Sequence, residues 1–580
     1  MNPNEYFIAR PTVAHKQYEA MRAFFYEQQT ALEVAERFGY TVSAVYGLAR
    51  DFRRHLKSNP QTDYFFAARP NGRPAQKRPV QLEQDIIALR KQYYSAPEIT
   101  SMLQAKGYKI NYNYVYELLI REGFARLPRR TRASRQELNV VRLEAPKAQA
   151  WQPAEEHFDT QHAGLLCFLP IIRKYGIDEL IRSSAYPQTR EISRQSAILS
   201  FLALKLSSVR RYSADDLWCM DRGSGLFAGL NVLPKAAWFS SYSHRVTPQM
   251  NLGFLRSLHR RWLEHGLLGD TANLDFTTIP YWGDEDSHLE NNWSGKRSKA
   301  LASMLAVLAH DPDTGIIDYG NADVQHESES QTVLEYLDFY RAGDPNGKAL
   351  KYLVFDSRFT NYENLAHLDE RNVKFITIRR RGKNMIREIE QMPASAWKTL
   401  RVEAAGNRKR TLKVADQTIF LKGYGKDIRQ VVITGHGKAK PALIISNDFD
   451  ISLEQIVRKY CRRWLVEKSI AEQIDFFHLN RLSSSMVIKV DFDLVMTILA
   501  HNLYRLLALE LGRYQHLADQ SVFDRFIYNA GAITISMNDI RVSLKKKRDL
   551  PQLLMALNDY KFEYPWLFQK RLVFDGASYT

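Results

Sequence analysis

The sequence predicts a multidomain α/β protein: a mixed-sheet core with a β-rich insertion, preceded by N-terminal helix-turn-helix domains. Three observations predict it. In the middle of the chain, short apolar and β-branched runs alternate with helical stretches, as a layered α/β core requires. Between residues 400 and 446, strand-like runs follow one another across Gly-rich turns. Near the N-terminus, two helical hairpins each turn on a glycine. A chain of 580 residues, 45% hydrophobic and 12% aromatic, can build several such cores.

Lys plus Arg number 81 against 64 Asp plus Glu, a formal charge of +17, so the expected partner is a polyanion. Nucleic acid and an anionic membrane surface both qualify. Apolar runs such as 165–172 are far too short to span a bilayer, which disfavours the membrane. The opening Met-Asn-Pro-Asn-Glu-Tyr lacks a basic-then-apolar leader pattern. Cys167, Cys219 and Cys461 are odd in number and widely separated, against a disulfide framework or a cysteine zinc site. The expectation is a reducing, cytoplasmic setting without a membrane partner.

The first N-terminal unit, residues 1–58, places Leu32, Val34, Ala35 and Phe38 on one helical face. Gly39 turns the chain, and Val42, Val45 and Leu48 begin a second helix. Ser43, Tyr46 and Arg50 are then available to face a DNA groove. The pattern recurs in residues 78–126, where Gly107 separates two helices and Asn111, Asn113 and Tyr114 open the second. Ordinary helical hairpins would read the same way one at a time; tandem units on a basic chain favour DNA binding. A basic linker at 127–158 follows, with Arg129, Arg130 and Arg132 suited to a phosphate backbone or minor groove.

Residues 159–268 read as a helical intermediate domain, with apolar helical spacing at 165–175, 196–206 and 252–267. Strands are then expected at 272–279, 302–310 and 315–322, a helix at 329–340, a strand at 351–355, a helix at 362–372 and a strand at 373–379. That order matches a ribonuclease-H-like core, assigned to 269–384 and 452–511 around an insertion at 385–451. Five short strands fill the insertion, at 400–404, 411–414, 418–421, 429–434 and 442–446. The strand at 373–378 runs into Arg379, Arg380 and Arg381, cations expected near the sheet edge where nucleic acid would pass. Residues 512–580 are the least informative, apart from a hairpin-like run at 532–542 and a basic loop at 545–548.

Three carboxylates carry the chemistry. Asp275 and Asp356 each end an apolar run, and Glu467 lies on a helical stretch with Tyr460 and Arg463 on the same face. Two strand-borne Asp and a helix-borne Glu can converge on hard divalent cations, and such a site performs in-line displacement at phosphodiesters. Taken singly, an Asp at a strand end is commonly a turn or cap residue, and a helix Glu is usually solvated. The ordered set is the signal. Glu472 and Asp475 are weaker rivals for the third place. His310 and His326 show no paired metal spacing and read as structural.

These residues resemble the DDE transposases of bacterial insertion sequences, in the branch with a β-rich insertion and a Tyr-Arg-Glu-Lys helix signature. Asp275 with Thr277 resembles that family's first motif. Asp356 in Phe-Asp-Ser-Arg-Phe-Thr-Asn-Tyr resembles its second, and Tyr460, Arg463 and Glu467 its helix signature. The signature Lys falls on Ile474 here, a departure. The resemblance implies that Asp275, Asp356 and Glu467 hold two Mg²⁺ about 4 Å apart, with Mn²⁺ able to substitute. It implies that Arg463, Tyr460 and, less directly, Arg358 contact the DNA backbone. Trp397 either packs the insertion's core or stacks a flipped base, as an aromatic residue does in related transposases.

The implied function is binding of an element's terminal inverted repeats in double-stranded DNA, then Mg²⁺-dependent cleavage and strand transfer by a homodimer or larger assembly. A bacterial, nucleoid-associated location follows. Two alternatives differ in class: a catalytically silent, transposase-derived DNA-binding protein, and a nuclease that cleaves without strand transfer.

Overall fold

The computed structural model describes residues 12–58, 63–66, 80–91, 94–105, 107–125, 127, 147–209, 216–280, 290–294, 299–344, 350–404, 408–437, 440–479 and 487–576. The chain divides into two units, Met1–Arg142 and Leu143–Thr580.

The first unit contains two helical trios. In one, α1 (Val13–Phe25), α2 (Ala31–Phe38) and α3 (Val42–Ser58) enclose Ala20, Met21, Val34, Phe38, Val45 and Ala49. Thr30 and Glu33 form a capping box at the start of α2, and Gly39 closes that helix in the left-handed region at φ 63°. In the other, α4 (Val80–Lys91), α5 (Ala96–Ala105) and α6 (Tyr112–Arg121) enclose Ile86, Ile99, Leu103, Val115 and Leu118. Each trio has one helix more than the expected hairpin. The reason is physical: two short amphipathic helices leave an apolar face open, and α1 and α4 cover it.

In the second unit, β1 (Glu156–Thr160) leads into α7 (Phe168–Lys174), α8 (Ile177–Ser183), α9 (Arg194–Leu206), α10 (Arg222–Phe227), α11 (Ala236–Ser243) and α12 (Pro248–Glu264). The central sheet follows: β2 (Thr271–Pro280), β3 (Asn291–Ser294), β4 (Lys299–His310), β5 (Ile317–Val324), α13 (Thr332–Gly343), β6 (Tyr352–Phe355), α14 (Tyr362–Glu370) and β7 (Lys374–Ile378). After α15 (Lys383–Glu390) come β8 (Lys398–Ala404), β9 (Arg408–Leu421), β10 (Lys426–Thr434) and β11 (Ala442–Ser446). Two long helices, α16 (Leu453–Phe476) and α17 (Val487–Glu510), precede α18 (Asp519–Val522), β12 (Gly531–Ile535), β13 (Asp539–Leu544), α19 (Leu550–Asn558), β14 (Glu563–Tyr564) and β15 (Lys570–Gly576).

The described strands form a ten-stranded sheet in the order β3-β4-β2-β6-β7-β11-β10-β9-β8, with β5 on the other edge of β4. β2, β6 and β7 are parallel; the rest of this sheet is antiparallel. The insertion strands are therefore not a separate sheet: β11 pairs with β7 and carries the same sheet onward. Two of the expected strands, 411–414 and 418–421, are one continuous β9.

The sheet is covered on both faces. One face packs Tyr352, Val354, Ile376 and Ile444 against Ile456, Val457 and Tyr460 of α16. The other face buries Leu274, Leu353, Phe355 and Phe375 in the large core. Val490–Glu510 is long and apolar enough to cross a membrane by length and composition, yet most of it is buried within the fold, as in a core helix. It packs so closely that a Cβ at Gly320 of β5 would lie 2.5 Å from Ile498 Cδ1.

β1 pairs with β12, and β13 with β15, in a five-stranded sheet ordered β1-β12-β13-β15-β14. Residues at the beginning and end of this unit thus close on each other.

The outer edge of β5 is held by a side chain. Asn502 of α17 accepts from the Ile317 N–H and donates to the Ile317 carbonyl, both at 2.8 Å. Asn502→Leu would leave both backbone groups buried without partners, so it should lower unfolding free energy by about 2 kcal/mol in urea denaturation. A cost under about 0.5 kcal/mol, typical of a surface change, would show that this bond pair does not hold the edge.

Candidate active site

Parallel register brings Asp275 and Asp356 together. Leu274 pairs with Phe355 across β2 and β6, and both are buried in the large core on the face away from Arg463. Asp275 and Asp356 each come next, so both turn to the opposite face, the one covered by α16. Strands lie about 4.8 Å apart, which makes the two carboxyl groups neighbours where the parallel pairing of β2 with β6 ends, in mid-strand for Asp275 and just past the strand for Asp356. In each, the next residue's backbone N–H donates to Oδ1: Phe276 at 2.9 Å, Ser357 at 2.6 Å.

α16 supplies the groups facing them. Lys459 Nζ donates to Thr271 Oγ1 at 2.6 Å. One turn later, Arg463 Nη1 stands 3.4 Å from Asp275 Oδ2, with the Arg463 and Asp275 side chains only 3% and 11% exposed. Arg463 Nη2 donates to the Tyr460 hydroxyl at 3.5 Å, and Tyr460 is itself buried in the α16-side core. Glu467 lies on the α16 backbone one turn beyond Arg463. The side chains of Glu467 and Ile474 lie outside the described residues. Among the described residues no group of three or more His, Cys, Asp or Glu could hold a metal ion. Asp275 and Asp356 nevertheless fit a hard divalent cation. They are carboxylates on one face, each fixed through Oδ1 by a backbone amide, with Oδ2 of Asp275 already turned toward a cation.

The remaining expected contacts scatter. Arg358 pairs with Glu329 and lies 5.0 Å from the Phe276 ring, which stacks on Phe359. Burial acts to raise the Glu329 pKa, but hydrogen bonds from Arg358 and His326 outweigh it and hold the carboxyl below its ordinary value. Arg379 donates to Gln430 Oε1 at 2.9 Å and Arg381 to the Pro441 carbonyl at 2.6 Å, so both hold the insertion strands; Arg380 is exposed. Trp397 is half-buried against Ile389, Ala415, Val432 and Leu443.

In the first unit, Ser43, Tyr46 and Arg50 form an exposed stripe on α3. Asn111 caps α6 by accepting from the Tyr114 N–H, the Tyr114 hydroxyl donates to Glu83, and Asn113 is exposed. Arg129, Arg130 and Arg132 lie outside the described residues.

Sequence reasoning took His310 as structural and did not single out Asn273. They form a cross-strand pair on β2 and β4, on the same face as Asp275. The signal was available: Asn273 is two residues from Asp275 in a strand.

Residues 273–503 match the family model described as Transposase DDE domain. No curated protein matches the chain. The match begins in β2, spans both aspartates, the inserted strands and α16, and ends within α17. It supports a DDE transposase, with the ribonuclease-H-like core, DNA substrate and divalent metal that such a domain implies.

The Arg463–Asp275 contact separates the two aspartates energetically. Asp275→Asn takes a carboxylate away from a buried guanidinium and should cost about 3 kcal/mol in thermal or urea unfolding. Asp356→Asn, at a half-buried strand end where an amide oxygen can still accept from Ser357, should cost less than about 0.5 kcal/mol. Equal costs would refute this division.

Proposed function

We propose that this protein is a transposase that binds the terminal inverted repeats of its element and catalyses Mg²⁺-dependent cleavage and strand transfer. The observation that carries the reading is the pair Asp275 and Asp356 on one face of adjacent parallel strands, inside the matched domain and beneath α16. Glu467 is proposed as the third ligand, on the turn of α16 after Arg463.

Asp275 and Asp356 would hold the cations, with Mn²⁺ able to substitute for Mg²⁺. Bound there, the ions would lower the pKa of an attacking water or 3′-hydroxyl and stabilise the leaving oxygen. The protein's own work is positioning. The Phe276 and Ser357 amides fix one oxygen of each carboxylate, so little reorganisation remains at the moment of reaction. Tyr460 supports the Arg463 guanidinium, whose planar fork has donors enough to meet a phosphate near the scissile bond while others stay bonded within the protein. The exposed stripe of Ser43, Tyr46 and Arg50 on α3 suits a major groove. Joining two DNA ends calls for at least a dimer on DNA, in a bacterial cytoplasm.

Asp275→Ala, Asp356→Ala and Glu467→Ala should each reduce Mg²⁺-dependent nicking of end-bearing DNA by about a thousandfold or more, while gel-shift affinity changes less than about threefold. Full nicking by any of the three removes that residue from the site. Removing Met1–Arg142 should abolish the footprint on element ends; an unchanged footprint would move sequence recognition elsewhere.

A further inference from the structure

Two residues along the strands from Asp275 lies a polar pair with no hydrogen-bond partner among the described residues. Asn273 is fully buried and His310 is 1% exposed. Neither amide atom of Asn273 and neither ring nitrogen of His310 has a hydrogen-bond partner. Such groups cost stability, because each gives up its water without replacement. Two apolar side chains of similar shape would serve a folding core better. The pair directly opposes itself across β2 and β4, next along the strands from Asp275 and Leu308 by two residues, on the face that α16 covers.

Arg463 is the charge beside them. Burial pushes the His310 ring down to about 3, with the charges of His501 and Arg463 adding to the effect. His310 is therefore neutral and keeps one acceptor nitrogen, and Asn273 adds an acceptor oxygen. A guanidinium offers five donors and can reach neutral acceptors as well as a carboxylate.

We propose that Asn273 and His310 are the second seat of Arg463: the guanidinium rests on Asp275 in the metal-free chain and turns to these neutral acceptors when a divalent cation takes that carboxylate. The argument rests on the metal reading given above. Two like charges cannot share one buried carboxylate at low cost, so Arg463 must move as the cation enters. A seat that offers acceptors without charge lets it stay buried and near the site. Asn273 and His310 are thus positioning residues, acting through Arg463.

The test is calorimetric titration of the full chain with Mn²⁺ alone, in the absence of DNA. The double variant Asn273→Leu, His310→Leu should bind Mn²⁺ about tenfold more weakly while its thermal midpoint rises, since the orphaned polar atoms are gone. Adding Arg463→Gln to that double variant should restore the affinity, because no charge is left to relocate. If the double variant fails to fold, His310→Phe alone should weaken Mn²⁺ binding about threefold, by the same coupling. Wild-type affinity in the variants, or a deficit that Arg463→Gln does not repair, overturns the second seat and leaves the metal reading intact. A wild-type chain that takes up no Mn²⁺ overturns both.

Discussion

Parallel pairing of β2 with β6 is the constraint on which the candidate site depends. Side chains on paired parallel strands share a face residue for residue, so the Leu274–Phe355 register decides where the next residues point. A slip of one position would send one aspartate into the apolar core and leave the other under α16. The apolar partners prevent that slip. Leu274, Leu353 and Phe355 are buried against one face and Tyr352 and Val354 against the other, so a misregistered strand exposes or buries the wrong set twice over. The placement of the two aspartates is a by-product of two-sided burial.

The same arrangement explains why an acidic site can sit in a covered sheet. Asp275 loses nearly all its water, and the Phe276 amide and the Arg463 guanidinium replace it. A buried carboxylate held this way is costly to strip and cheap to exchange, since any incoming cation meets a site already organised for positive charge. Asn273 and His310 make the opposite trade. They give up stability with no bond in return, the pattern expected where a core position serves something other than folding.

Much of the core was legible because its strands are short, apolar and bounded. The expected strands at 272–279, 302–310, 351–355 and 373–379 correspond to β2, β4, β6 and β7 within a few residues. What was illegible depended on distant partners. β1, Glu-His-Phe-Asp-Thr, carries no strong alternation of its own and is a strand because β12 pairs with it from far along the chain. β9 read as two strands, 411–414 and 418–421, with Ala415, Asp416 and Gln417 between them. In the fold, Arg429 on the neighbouring strand binds the Asp416 carboxylate at 2.7 Å, and pairing runs straight through. The site divided similarly. Asp356 follows the end of β6 as expected, but Asp275, expected at a strand terminus, lies inside β2, which runs on to Pro280 because β4 stays paired with it; the roles of Arg358, Arg379 and Arg381 depended on Glu329, Gln430 and the Pro441 carbonyl, which no local pattern names.

The position of α16 shows how side chains from far along the chain reach the Asp275 strand. Lys459 meets Thr271 and Arg463 meets Asp275, so four residues of helix are matched to four residues of strand. Four helical residues advance about 6 Å and four strand residues about 13 Å. Only long side chains that lean along the strand can span that mismatch, and Lys and Arg occupy both positions. One further turn takes the backbone about 6 Å on, past the last paired residues of β2 and β6, to Glu467. Lys459 and Arg463 thus set the height of the helix over β2, and the inserted strands β8 to β11 extend the sheet on which α16 lies.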